Sequence, residues 1–182
     1  MGLGVERQFL HFDATQQGTH SEGDFSSSWR AYLLDLTVGS ELAGHAKLLF
    51  RCAVPLTFES ATIFGQDTSV VMAGPLIGLG LAYAFTDQWH VEAVPEVGVY
   101  PASFNADEAN VGWFGFRKEY GMKFGLAYSP DWIVGGESFV IFKTTTAWRR
   151  STVDLTSSSD TVPDIHLETD GWSIGFEIGI RF

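Results

Sequence analysis

The stretch Gly171-Trp-Ser-Ile-Gly-Phe-Glu-Ile-Gly-Ile-Arg-Phe182 decides the fold. Trp172, Ile174, Phe176, Ile178, Ile180 and Phe182 fall on one parity, while Gly171, Ser173, Gly175, Glu177, Gly179 and Arg181 fall on the other. Successive side chains of a β-strand point to opposite faces, so this alternation predicts a strand with one apolar face. A helix would return its apolar residues every three or four positions, and these return every two.

Working outward, the same alternation appears in 46–58 (Leu48, Phe50, Cys52, Val54, Leu56, Phe58), in 75–85 (Ile77, Leu79, Leu81, Tyr83, Phe85) and in 114–128. Weaker strands are predicted at 3–12, at 32–38 and at 91–99. Another is predicted at 134–148, with Glu137, Lys143 and Arg149 on its polar parity. That makes an all-β chain of eight strands. Short connections near 39–44, 86–88 and 129–131 alternate with longer ones near 13–28, 59–68, 102–112 and 150–170. This asymmetry predicts a single domain over 1–182. It is a closed antiparallel up-and-down transmembrane β-barrel, with short periplasmic turns and longer extracellular loops.

Composition narrows the function classes. The chain has 182 residues, 45% hydrophobic, 14% aromatic and 18% charged, against about 25% charged in an ordinary soluble domain. Acids outnumber bases 22 to 11, which excludes nucleic acid as an expected partner, because phosphate binding draws on clustered Lys and Arg. The lone Cys52 excludes an internal disulfide and a multi-thiolate metal site. No apolar run approaches the roughly 20 residues of a membrane helix, and 70–85 is broken by Gly74, Pro75, Gly78 and Gly80. The start MGLGVERQ shows no basic-then-apolar leader, so a signal peptide is absent from the expectation.

Which parity faces inward follows from size and charge. The polar parity is rich in glycine and alanine, as a narrow eight-stranded interior requires. The apolar parity carries more bulk than such an interior could hold, which suits lipid outside. A charge network is expected in the lumen, made of Asp35, Lys47, Arg51, Glu59, Glu92, Glu96, Arg117, Glu119, Lys123, Glu137, Lys143, Arg149, Glu177 and Arg181. Its acids and bases cancel, so the net charge of −11 is expected in the connections. Leu33, Leu49, Val94, Phe139 and Ile141 are expected to add apolar patches to the lumen. Tyr83, Phe85, Trp89, Tyr128, Trp132 and Trp148 are expected to form interfacial aromatic girdles.

The closing Ile178-Gly-Ile-Arg-Phe182 resembles the C-terminal signature recognised by the outer-membrane assembly machinery, carried here by Trp172, Ile174, Phe176, Ile178, Ile180 and Phe182. Ala73-Gly-Pro-Leu-Ile-Gly-Leu-Gly-Leu-Ala-Tyr83, a Thr-Asp-Gln-Trp turn and Val97-Gly-Val-Tyr100 resemble the middle hairpins of small eight-stranded outer-membrane barrels of the OmpX, OmpW and OmpA-barrel kind. Pro95 inside a strand and the long charged loops depart from that pattern. The resemblance implies residence in a bacterial outer membrane among lipid and lipopolysaccharide-type glycolipid. It also implies insertion by the assembly machinery and a surface scaffold whose loops meet host or extracellular ligands, in adhesion or envelope integrity. The alternative it implies is an OmpW-like channel for small hydrophobic molecules, and the third is a lipid A-modifying enzyme.

Neither a catalytic site, a cofactor nor a metal centre is expected. Ser21, His20 and Asp24 are adjacent in a loop, and a nucleophile and its base must converge in space rather than along the chain. Asp107, Glu108, Asp154, Asp160, Asp164, Glu168 and Asp170 lack EF-hand spacing and read as solvated acidic loops.

Overall fold

The computed structural model describes residues 1–106, 111–130, 139–159 and 162–181. Ten strand segments follow one another: β1 (Gly2–Gln16), β2 (Thr19–Asp24), β3 (Ser27–Ala43), β4 (Ala46–Ile63), β5 (Gln66–Ala73), β6 (Leu76–Ala84), β7 (Trp89–Ala106), β8 (Val111–Tyr128), β9 (Phe139–Ser157) and β10 (Ile165–Arg181). β2 and β3 pair with successive parts of β1, and β5 and β6 both lie between β4 and β7. Each of these two pairs is therefore one long strand with a short break. The wall has eight staves, all antiparallel, and β10 pairs with β1 to close it. Closure leaves no edge strand to recruit another chain.

The staves are strongly staggered. Glu6, Arg30, Thr57, Met72, Ala102, Gly115, Leu155 and Ile165 are successive partners around the wall. Ile165 lies one step beyond the Thr15–His166 pair, level with Gln16, so one circuit climbs ten residues along β1. That stagger tilts the strands and sets a bore just wide enough for side chains.

The four connections expected as long loops are largely ladder. β1 and β2 pair up to Gln16–Thr19 around a turn in which Gln17 (φ 47°) and Gly18 (φ 81°) are both left-handed. β4 and β5 do the same around Phe64 (φ 52°) and Gly65 (φ 76°). Two successive residues at positive φ match the right-handed twist of a hairpin, and glycine takes the second position at no steric cost. β7 and β8 stay paired to Ala106–Val111, and β9 and β10 to Leu155–Ile165. One end of the barrel thus carries a tall collar of paired strands.

One register defect overturns an expectation. The β3–β4 ladder shifts between Tyr32 and Leu34, so Leu33 and Leu34 both face outward. Leu33 is 57% exposed and belongs to the outer wall, not to the lumen. A bulge adds one residue to one strand and so reverses the parity beyond it.

Candidate functional site: a charged plug beneath an apolar collar

The lumen has two storeys. In the lower one the inward parity delivers Glu6, Asp35, Glu59, Glu92, Glu96, Glu119 and Glu177 together with Arg30, Lys47, Arg51, Arg117, Lys123, Lys143 and Arg149. These seven acids and seven bases cancel among the described residues. Arg30, fully buried, grips Glu119 with both ends of its guanidinium, at 2.7 and 2.6 Å, while the Tyr100 hydroxyl donates to the same carboxylate at 3.2 Å. Arg149 bridges Glu6 at 2.8 Å, Glu96 at 3.5 Å and Glu119 at 3.6 Å. Arg51 binds Asp35 and Glu96, and Lys123 binds Glu177 and, at 3.0 Å, Glu6. Lys143 joins Glu177 at 3.5 Å to Glu92 at 2.8 Å, and His90 lies 3.0 Å from Glu92. The chain of contacts is unbroken from His90 up to Arg30. Beside it, Arg117 holds Glu59 at 2.7 Å and is steadied by Ser151 and Thr169.

Charges in such a place are tolerable only when paired, and the pairing fixes each strand's inward residues against those of strands across the bore. Glycine makes room for the long side chains. A Cβ at Gly175 would meet Glu6 Cγ at 2.4 Å, and one at Gly4 would meet Glu177 Cγ at 2.5 Å.

In the upper storey the same inward parity turns apolar. On β1, Glu6 and Gln8 give way to Leu10, Phe12 and Ala14, all buried. They pack with Ala61, Ile63, Val70, Phe104, Trp113, Val153, Leu155, Ile165 and Leu167 into one core inside the collar. The outward parity changes the opposite way at the same height, from Leu3, Val5 and Phe9 to His11, Asp13 and Thr15. β10 repeats the exchange, with Trp172, Ile174, Phe176 and Ile178 exposed below and His166, Glu168 and Asp170 outward above.

Apart from the exposed Phe114 and Phe116 of β8, the collar is therefore built like a water-soluble barrel and the lower storey is its inverse. Apolar side chains such as Leu79 (59% exposed), Leu81, Val97, Ile174 and Phe124 cover the lower outside, while charges fill the inside. Water would penalise that wall heavily and hydrocarbon would not. This is a transmembrane β-barrel.

Two separate cavities flank the plug. At the short-turn end a vestibule of about 490 Å³ is bordered by Lys47, His45, Thr86, His90, Glu92 and Lys143, with Leu49 and Ile141 on its wall. At the collar end an apolar pocket of about 280 Å³ is lined by Ile63, Phe64, Phe104, Trp113, Val162, Ile165 and Leu167, with Gln16, Gln66 and Thr68 as its polar groups. The two share no lining residue.

No family model and no curated protein matches the sequence. Among solved structures the chain is similar to the outer-membrane protein OprG from Pseudomonas aeruginosa, at 13% identity and a TM-score of 0.47, covering 100% of this chain and 96% of that one. It is similar to the outer-membrane protease OmpT from Escherichia coli at 11% identity and 0.47, covering 97% and 92%. It is also similar to Ail, the attachment invasion locus protein of Yersinia pestis, at 8% identity and 0.35, covering 97% of each chain.

Of the residues expected in the lumen network, Asp35, Arg51, Glu59, Glu96, Arg117, Glu119, Lys123, Arg149 and Glu177 are buried and brought together. Glu92 and Lys143 pair near the vestibule, and Lys47 borders it. Trp132, Glu137, Phe182, Asp107 and Glu108 lie outside the described residues, and Arg181 closes β10. Two members of the network were missed, Glu6 and Arg30. Glu6 shares the inward parity of Gln8, while Arg30 shares that of Tyr32, which placing Leu33 and Asp35 in the lumen assigns to the outer face until the register shift of β3 is known. Tyr83, Phe85, Trp89 and Tyr128 gather on the outer wall at the short-turn end, with Trp89 and Tyr128 ring centroids 4.7 Å apart. Trp148 lies at the opposite edge of the belt beside Tyr120, at 6.1 Å.

Ser21, His20 and Asp24 do not converge. Ser21 accepts a hydrogen bond from the Phe64 amide, His20 faces Asp13 and Glu22, and Asp24 pairs with His11. Among the described residues no group of three or more His, Cys, Asp or Glu is arranged to hold a metal.

Proposed function

We propose that the protein is a bacterial outer-membrane surface scaffold, in which the inverted lower storey anchors the chain and the collar presents its outer wall and hairpin tips outside the cell. The observation that carries this reading is the exchange of phase between the storeys. A wall that changes from apolar-outside to polar-outside at one height is built to stand half in lipid and half in water. Short turns facing the periplasm and tall hairpins facing outward match the usual orientation of such barrels. The β10 residues Trp172, Ile174, Phe176, Ile178 and Ile180, with Phe182, would serve as the signal to the assembly machinery. Glycolipid around the belt and extracellular or host ligands at the collar are the partners this arrangement suits.

The plug argues against bulk permeation, since a porin leaves an aqueous channel and this bore is crossed by ion pairs. Purified protein in planar bilayers should give no stepwise conductance. Reproducible single-channel openings would overturn the scaffold reading in favour of a pore.

A second reading rests on the apolar pocket at the collar end. Its lining and its volume suit a small hydrophobic molecule, which links it to the channel alternative but as a binding site rather than a route through the plug. Trp113 borders the pocket, so a brominated alkane should quench its fluorescence saturably, and Leu167→Arg should abolish the effect. Linear, unsaturable quenching would remove this reading.

A further inference from the structure

Across β2, β1, β10 and β9, the outer wall of the collar alternates histidines with carboxylates. His11 on β1 stands in register with Asp24 on β2 and Asp170 on β10, and its Nδ1 is 3.1 Å from the Asp24 carboxylate. Two residues higher, Asp13 stands between Glu22 and Glu168. Higher again, His20 on β2 lies 3.2 Å from Asp13 and 3.7 Å from Glu22. On β10, His166 lies 2.6 Å from Asp154 of β9 and 3.5 Å from Glu168. All three imidazoles are about half exposed, so protons reach them freely.

We propose that the β9–β10 edge of this wall is a proton-operated clamp. When the His166 imidazole takes a proton it becomes an ion-pair partner of Asp154 and ties β10 to β9.

The charges around His166 favour this direction. Arg150 is held at 2.9 Å by Glu168, and Lys118 on β8 registers with Thr152 of β9. On the far side of β2, the β4–β5 hairpin presents Thr62 hydrogen-bonded to Asp67. Around His166 the carboxylates Asp13, Asp154, Glu168 and Asp170 outnumber the cations Arg150 and Lys118, so an added positive charge is favoured there. The hydrogen bond to Asp154, and then that to Glu168, raises His166 above the usual imidazole range. A group whose value is raised by folding adds stability that is fully present below its unfolded value. That stability is lost as pH rises through the folded value. The β9–β10 edge should therefore be tightest below the usual imidazole range and loosen as pH rises above it.

Amide hydrogen exchange of the folded barrel in detergent micelles tests this, with rates at pH 7.5 and 5.5 corrected for intrinsic exchange. Peptides over 150–170 should exchange about twofold more slowly at pH 5.5, the scale of one weak exposed pair. Peptides over 60–69, whose outer face carries no histidine, should not change. His166→Gln should lose the difference while keeping heat-modifiable gel migration, and Asp154→Asn, which keeps the histidine and removes its partner across the strands, should lose it too. Equal corrected rates at the two pH values would overturn the proposal, and so would an undiminished response in the variants.

Discussion

Replacing Arg30 with Met should cost the barrel about 3–5 kcal/mol of unfolding free energy, the scale set by removing one partner of a buried ion pair. Arg30 is fully buried and its guanidinium makes both short contacts to Glu119, which is itself 4% exposed. Without it that carboxylate keeps the Tyr100 hydroxyl at 3.2 Å and a more distant Arg149 at 3.6 Å. Neither replaces a bidentate partner. The double variant Arg30→Met, Glu119→Leu should recover at least half of the loss, because paired charges can often be exchanged for apolar groups of similar volume. Urea unfolding of the protein in phospholipid vesicles measures both. A loss below about 1 kcal/mol for Arg30→Met would mean that the plug is open to water and not a buried network.

Leu79→Arg should destabilise the vesicle-embedded barrel by about 2–4 kcal/mol, the cost of a cation on the lipid face near the bilayer midplane. Leu79 is 59% exposed and lies mid-height on the outer wall. Ser69→Arg, on the same stave but within the collar, should change stability by less than about 0.5 kcal/mol, as for an ordinary surface site. The contrast is the informative quantity. A soluble barrel would accept arginine at an exposed leucine as readily as at an exposed serine, so equal effects would sink the membrane assignment.

The lower storey was legible from the sequence because a single rule governs it. Large apolar residues alternate with glycine, alanine and charge, and the sum of charges on the second parity already implied a closed, paired interior. The collar was not legible by that rule. Residues 13–28 and 150–170 look like polar loops when the apolar parity is followed upward from Phe9 or Trp148, since the outward positions become His11, Asp13, Arg150 and Asp154. The strands continue with their apolar residues on the other parity, at Leu10, Phe12, Val153 and Leu155. Arg30 and Glu6 were missed for related reasons. Arg30 follows the break between β2 and β3, and Glu6 sits in the least regular of the predicted strands. Leu33 went to the wrong face because one extra residue in β3 leaves no mark in composition. Pairings between distant strands, such as Arg149 with Glu6, follow from the ten-residue stagger of the closed wall, which local patterns do not encode.

The exchange of phase along staves such as β1 and β10 also proofreads the strand register. A slip of one residue anywhere in the ladder would turn the lower charges toward hydrocarbon and, in the same movement, turn Phe12 or Leu155 toward water. A uniform barrel would feel such an error in one solvent only. This one is penalised in both, so misaligned pairings that an ordinary hairpin could sample have nowhere on the wall to be tolerated.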